Sequence, residues 1–336
     1  MKVVVLTTSY PRDDDDVAGN FVASAVRGVR ELGVEVDVVS PASFADFGIA
    51  YGGGIAQNLR AAPWKLAFLP AFMAAYARAA RRAARDADLV HAHWIPSAIA
   101  ARATGKPYVL QVWGTDVALA RRAPALVKPL LRGARVVIAA SEYLADEARA
   151  LGAQRVEVVP SGVEIPEHVG EPDDPPHVLF AGRLSEEKGI LEFLEATDGL
   201  PRVIVGDGPL RGSVPEAVGF VPPSAMGGYY ERAAVVCVPS RREGYGMTAR
   251  EAMAYGRPVV ATRVGGLSDA IVDGETGDLV RPAELGESIR SLLADGERRQ
   301  RLGAAAREHV VQRWTTTAAA SKLVSVYERC LTVGAA

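Results

Sequence analysis

The chain is poor in cysteine, in long apolar runs and in surplus charge of either sign, and each shortage excludes a class of protein. Only Cys237 and Cys330 occur in 336 residues, one inside an apolar run and one near the C-terminus, so no disulfide framework is expected. Nothing approaches the ~20 consecutive apolar residues of a membrane span. Val3–Leu6 gives way at once to Thr7-Thr8-Ser9, too short a run for a signal-peptide core. A cytoplasmic protein is expected, reaching at most the inner face of a membrane. A net charge of −2 gives no general attraction to polyanions, and no nucleic-acid partner is expected. No carboxylate, His or Cys cluster has metal-ligand spacing. Asp86-Ala-Asp88 spells an Asp-x-Asp pattern but precedes a strand, and is read as solvated loop.

The composition itself is that of an ordinary folded protein, 49% apolar and 23% charged. At about 100–200 residues per domain, two domains are expected. Strand patterns recur at Val3–Thr7, Val34–Val39, Leu89–His93, Tyr108–Val112, Val136–Ala140 and Val156–Val159, with helical patterns such as 19–32 between them. After the proline-rich and acidic stretch 171–176 they resume at Val178–Ala181, Val203–Val205, Ala217–Val221, Val235–Val238 and Val259–Ala261. Helices are expected to start near Glu186, Ser224 and Met247, and the chain reads as helical after Pro282. This alternation predicts two doubly wound parallel sheets, Rossmann-like, over roughly 1–165 and 166–314. Ligands of such sheets bind beyond the carboxyl ends of the strands, so the loops there carry the argument.

Three such loops stand out in the second half. Val238-Pro239-Ser240-Arg241-Arg242-Glu243-Gly244-Tyr245-Gly246 leads from a strand into a helix beginning at Met247. The free amides of Gly246, Met247 and Thr248 suit a phosphate, and Gly244 and Gly246 permit close approach. Carboxylates repel phosphate but accept from sugar hydroxyls, so Glu243 and Glu251 are assigned one to a transferred sugar and one to a ribose. Gly182-Arg183-Leu184-Ser185-Glu186-Glu187-Lys188-Gly189 offers a guanidinium fork and an ammonium to a diphosphate. Val205-Gly206-Asp207-Gly208-Pro209 is a strand-end turn, a common feature by itself.

Together these elements, with Glu251-Ala-Met-Ala-Tyr-Gly-Arg-Pro-Val-Val260 and Gly265-Gly266, resemble the large retaining glycosyltransferase family of GT-B fold known as family 4, or glycosyl transferases group 1. The resemblance implies two facing Rossmann-like domains and a C-terminal helix, 315–336, crossing back to the first domain and anchored by Trp314 and Tyr327. It implies that Arg183 and Lys188 hold the donor diphosphate, Glu243 the donor sugar and Glu251 the ribose. It further implies backbone contacts to the base near Val221, with Gly182, Gly206, Gly244, Tyr245, Gly246, Met247 and Thr248 around the donor. No metal or cofactor is expected, since Arg183 and Lys188 supply the positive charge.

In the first half the likeness is looser. Asp88-Leu-Val-His-Ala-His93-Trp94 is similar to the family's strand-end histidine motif, which implies His93 beside the donor sugar. His91 is expected on the opposite face of the strand, in a structural role. Gly114-Thr115-Asp116 fits the family, although Trp113 stands where a histidine is common. Gly19 alone replaces the usual glycine pair near the donor phosphate, and the neighbouring Asp13–Asp16 run is expected to face solvent. Leu210 to Ala217 is short, so one helix is expected to be reduced.

Charge is unevenly spread: residues 60–135 hold 13 basic residues and only Asp86, Asp88 and Asp116. Trp64, Phe68, Phe72, Met73 and Tyr76 form an apolar stripe there, followed by Arg78, Arg81, Arg82 and Arg85, with Pro70 interrupting. Such a segment suits either an anionic membrane surface or a core-facing helix with a solvated face. The expected activity is transfer of a sugar from a nucleotide donor to a hydroxyl acceptor, with lipid-linked acceptors among those the resemblance implies. A nucleotide-sugar 2-epimerase and a non-catalytic GT-B-like binding subunit are the alternatives.

Overall fold

Short valine-rich runs become the central strands because a parallel sheet is buried on both faces, where β-branched side chains pack well. The computed structural model describes residues 1–13, 16–51 and 54–332. Asp14 and Asp15 of the aspartate run therefore lie outside the described residues. The chain divides into two units, residues 1–162 with 316–336, and residues 163–315.

The first unit holds β1 (Lys2–Leu6), β2 (Glu35–Val39), β3 (Leu89–His93), β4 (Tyr108–Val112), β5 (Val137–Ala139) and β6 (Val156–Val158). They form one parallel sheet in the order β2-β1-β3-β4-β5-β6. Val3, Val4, Val5 and Leu6 at its centre are at most 2% exposed. Helix Thr316–Thr332 packs on helix Asn20–Glu31 and buries Ala320, Leu323, Val326, Tyr327 and Cys330, a helical spacing that lays one stripe into the core. Tyr327 also hydrogen-bonds His91 Nδ1 at 2.7 Å. Trp314 is not part of this anchor; it is buried in the core of the second unit. His91 and His93 share one face of β3, with ring centroids 4.1 Å apart, and the expectation of opposite faces is corrected. Residues two apart in a strand point the same way.

The second unit holds β7 (Val178–Ala181), β8 (Arg202–Val205), β9 (Val235–Val238), β10 (Val259–Thr262) and β11 (Gly277–Val280), parallel in the order β11-β10-β9-β7-β8. Two differences from the sequence reading appear here. Residues 217–221 are not a strand. Gly219, at φ 93°, makes a lone bridge to Gly206 and Pro222-Pro223 follow, so no ladder can continue. Conversely β11 carries no strand signal in the sequence, because Gly277-Asp278-Leu279-Val280 is half polar and lacks β-branched density. The short stretch 210–217 contains a single 3-10 turn, Arg211–Ser213. The proline-rich stretch before β7 is fastened: Arg257 donates to Gly170 O and Asp173 N to Arg232 O.

The apolar stripe at 64–76 divides in two. Phe72 and Tyr76 are fully buried, whereas Trp64 is 66% and Phe68 42% exposed. Pro70 sits in the first turn of helix Leu69–Ala83, where its missing N–H costs nothing, and a 3-10 stretch, Pro63–Phe68, precedes it. Asp86 and Asp88 are exposed, with Asp88 accepting from Lys2 N.

Candidate active site

In each sheet the first strand is flanked by the second on one side and the third on the other. The connections therefore leave in opposite directions, and the loops part to form a crevice. In the second unit this reversal lies between β7 and β9, whose following loops carry Arg183, Lys188 and Glu243.

Gly189 makes their meeting possible. It adopts φ 73°, and a Cβ there would lie 1.9 Å from Pro239 O. Only glycine lets the turn Glu186–Lys188 press against the strand end of β9. Lys188 Nζ then reaches Glu243 Oε2 at 2.7 Å, and Ser240 Oγ donates to the same oxygen at 3.3 Å. Gly266 N donates to Glu243 O at 3.0 Å, so the paired glycines brace the backbone of the glutamate. Arg183 is exposed at the end of β7. Gly182 and Gly206 are tied through neighbouring bonds, Gly182 N to Val205 O and Gly206 N to Gly219 O.

Gly244 to Thr248 turn into helix Met247–Ala254, with Gly246 as its left-handed N-cap. Thr248 Oγ1 bonds Ala181 O at 3.3 Å, holding the helix start against the end of β7. The Tyr245 ring is turned inward, 5% exposed, so its side chain is not presented to a ligand. Glu251 lies one turn on and accepts from Tyr230 Oη at 2.7 Å. Burial pushes its pKa above the ordinary carboxylate value. Val221 is partly buried just before helix Pro223–Arg232, which delivers Tyr230.

Two residues of this neighbourhood were not singled out from the sequence. Tyr230 gave no signal, since a tyrosine in a helix is ordinary. Arg250 gave one: it is a charge inside the run Ala249-Arg250-Glu251-Ala252-Met253-Ala254. It is 1% exposed, with its guanidinium carbon 3.8 Å from the Tyr245 ring centroid and 4.3 Å from that of Trp314. It donates to Tyr245 O, and burial lowers its pKa.

In the first unit the corresponding reversal lies between β1 and β3. Gly19 opens helix Asn20–Glu31 at φ 72°, and a Cβ there would lie 2.2 Å from Ser9 O, so this single glycine is required by the backbone packed on it. His93 ends β3 and is 1% exposed. Burial, then the adjacent His91, lowers its pKa well below the ordinary histidine value. Asp116 is buried and accepts from Ile95 N, Trp113 N and Gly114 N at 3.0–3.1 Å, clamping the ends of β3 and β4 together. Among the described residues no group of three or more His, Cys, Asp or Glu converges as a metal site.

A family model described as Glycosyltransferase Family 4 matches residues 18–166, and one described as Glycosyl transferases group 1 matches residues 175–295. The chain is 30% identical over 320 residues to the putative teichuronic acid biosynthesis glycosyltransferase TuaC of Bacillus subtilis, covering 80% of this chain and 82% of that protein. Among solved structures it is similar to sucrose-phosphate synthase from Thermosynechococcus elongatus, with a TM-score of 0.83, 21% identity and 99% of each chain covered. It is also similar to Anabaena Alr3699/HepE in complex with UDP-glucose, with a TM-score of 0.75, 18% identity, and 98% of this chain and 100% of that one covered. At these identities the two structures speak for the GT-B fold alone.

Proposed function

From the premise that this chain belongs to the family 4 glycosyltransferases, we propose that the loops after β7 and β9 hold the nucleotide-sugar donor, with Lys188 and Arg183 on the diphosphate. The chain transfers a sugar from such a donor to an acceptor; neither the epimerase nor the non-catalytic reading is favoured. The observation that carries the site assignment is the Lys188–Glu243 pair beside the N-terminus of helix Met247–Ala254. A diphosphate placed there meets an ammonium and unpaired amides. Glu243 is then free to accept from a sugar hydroxyl, and Glu251 with Tyr230 from the ribose side. His93 and Gly19 take the roles that the family resemblance gives them, toward the sugar and the phosphate. The anomeric configuration is retained, and no metal is required.

The base is proposed to be uracil, as in the UDP-glucose bound by the Anabaena structure. Thermal shift with UDP, GDP and ADP tests this directly. Stabilisation by UDP above the other two is expected, growing with the logarithm of concentration beyond Kd. Equal response to all three removes the base assignment, and no response to any removes the site.

The acceptor is proposed to be lipid-linked, a precursor of a surface glycan, since the Bacillus relative's name places it in teichuronic acid biosynthesis. Trp64, Leu66 and Phe68 are all exposed, Phe68 meets Trp64 at 6.0 Å and stacks on Phe47 at 5.8 Å between centroids, and Arg60 and Lys65 lie in the same segment. An aromatic and basic patch of this kind binds an anionic bilayer surface. No helix among the described residues is long and apolar enough to cross a membrane. Co-sedimentation with anionic vesicles is expected to fall with added salt and to weaken about tenfold in Trp64→Ser, since a buried aromatic contributes more than 1 kcal/mol. Absence of salt-sensitive binding removes the membrane proposal.

A further inference from the structure

We propose that Trp113 is a positioning residue that fixes His93 in its Nε2–H tautomer, so that His93 serves the reaction as a hydrogen-bond donor and not as a base. The inference rests on the proposed role of His93 beside the donor sugar. Its geometric basis is independent of that role.

The indole of Trp113 directs Nε1–H at Nδ1 of His93 across 3.3 Å. The two rings lie within 13° of parallel, with centroids 5.9 Å apart. That combination is an edge-to-edge approach, because rings stacked face to face would lie closer. The N–H therefore arrives near the imidazole plane, where the Nδ1 lone pair lies. An indole nitrogen only donates. Nδ1 must then carry a lone pair, and a neutral imidazole with an unprotonated Nδ1 has its proton on Nε2.

Trp113 is itself held from two directions. Its backbone N–H donates to Asp116 Oδ1 at 3.0 Å, and the Phe21 ring packs on it at 4.2 Å between centroids. The indole cannot easily swing away, so the tautomer is set by the fold before any ligand arrives. The other groups facing His93 do not compete for Nδ1. His91 lies ring to ring with it and sends its own Nδ1 to Tyr327, while Asp116 is engaged with backbone amides.

The chemical consequence is specific. With Nδ1 occupied and Nε2 protonated, His93 has no free lone pair for the proton of an incoming hydroxyl. It can offer an N–H to an oxygen of the sugar. This gives Trp113 a purpose where the family commonly has histidine: a tryptophan in that place permits one tautomer, whereas a histidine could donate or accept.

The test uses the full chain with ¹⁵N-labelled histidine, read by long-range ¹H–¹⁵N correlation. His93 is expected as the Nε2–H tautomer, with the coupling pattern of an unprotonated Nδ1. Trp113→Phe keeps a ring against Phe21 but removes the donor, and is expected to convert His93 to a mixture of tautomers. It should lower kcat about tenfold, the worth of one hydrogen bond, with little change in KM for the donor. Trp113→His should recover part of that loss. A wild-type spectrum with the proton on Nδ1 overturns the proposal whether or not the variant folds, as does an unchanged tautomer in Trp113→Phe. A shifted tautomer with unchanged kcat leaves the lock standing and overturns the placing of His93 at the reacting sugar.

Discussion

Replacing Lys188 with alanine is expected to lower kcat by about 10²–10³-fold, the loss seen when one preorganised stabilising group is removed from a developing charge. The reason lies in the ion pair. In the structure Lys188 Nζ is 2.7 Å from Glu243 Oε2, and the glutamate side chain is only 13% exposed. Removing the ammonium takes positive charge from the leaving diphosphate. It also leaves a largely enclosed carboxylate beside that diphosphate, still accepting from Ser240 but without its ammonium partner. Both effects act in the same direction, so nucleoside diphosphate binding should weaken as well.

Glu243→Gln separates the two roles. The amide still reaches a sugar hydroxyl but no longer neutralises Lys188. Nucleoside diphosphate should bind more tightly, while transfer falls because the oxygen facing the sugar has lost its charge. Glu243→Ala should abolish transfer outright. Calorimetry with UDP and steady-state kinetics together check the pair. Near-full kcat in either alanine variant would falsify the site assignment, and equal weakening of UDP binding in Lys188→Ala and Glu243→Gln would show that the pair acts only as a structural clasp.

The sequence carried much of this site because its chemistry is local. Glu243, Gly244 and Gly246 sit between a strand and a helix within a few residues, and the strand-loop-helix order alone implies unpaired amides. Joining Lys188 to Glu243, 55 residues apart, required knowing that β7 and β9 are neighbours, which β-branched runs do not state. What stayed illegible was of three kinds. Tyr230 reaches Glu251 only because two helices meet, and no spacing along the chain encodes that. Residues 217–221 look like a strand by content, yet Gly219 and the following prolines deny them a ladder. The stripe from Trp64 to Tyr76 shows a third limit: periodicity indicated one face, but the burial of its two ends differs, and only packing decides where a core stops.

Arg250→Ala is expected to destabilise the second unit by about 3–5 kcal/mol. Three terms contribute: the volume left by a fully buried side chain, the loss of a desolvated cation between two rings, and the loss of the hydrogen bond to the Tyr245 carbonyl. For a unit of this size the melting temperature should fall roughly 10 °C. Charge is not the main term. Its Nε has no hydrogen-bond partner among the described residues, and burial already disfavours the cation. Arg250→Lys keeps the charge but cannot present a flat face to both Tyr245 and Trp314, so it should recover little. Arg250→Met fills much of the space without a charge to desolvate, and should melt above the alanine variant. Both are expected to weaken UDP binding, because the guanidinium bond to Tyr245 O that they lose steadies the loop that aims the amides of Gly246, Met247 and Thr248. If Arg250→Met melts and binds UDP as the wild type does, the guanidinium holds nothing that volume alone could not. If Arg250→Lys restores both properties, the planar sandwich is incidental and the charge is what the loop requires.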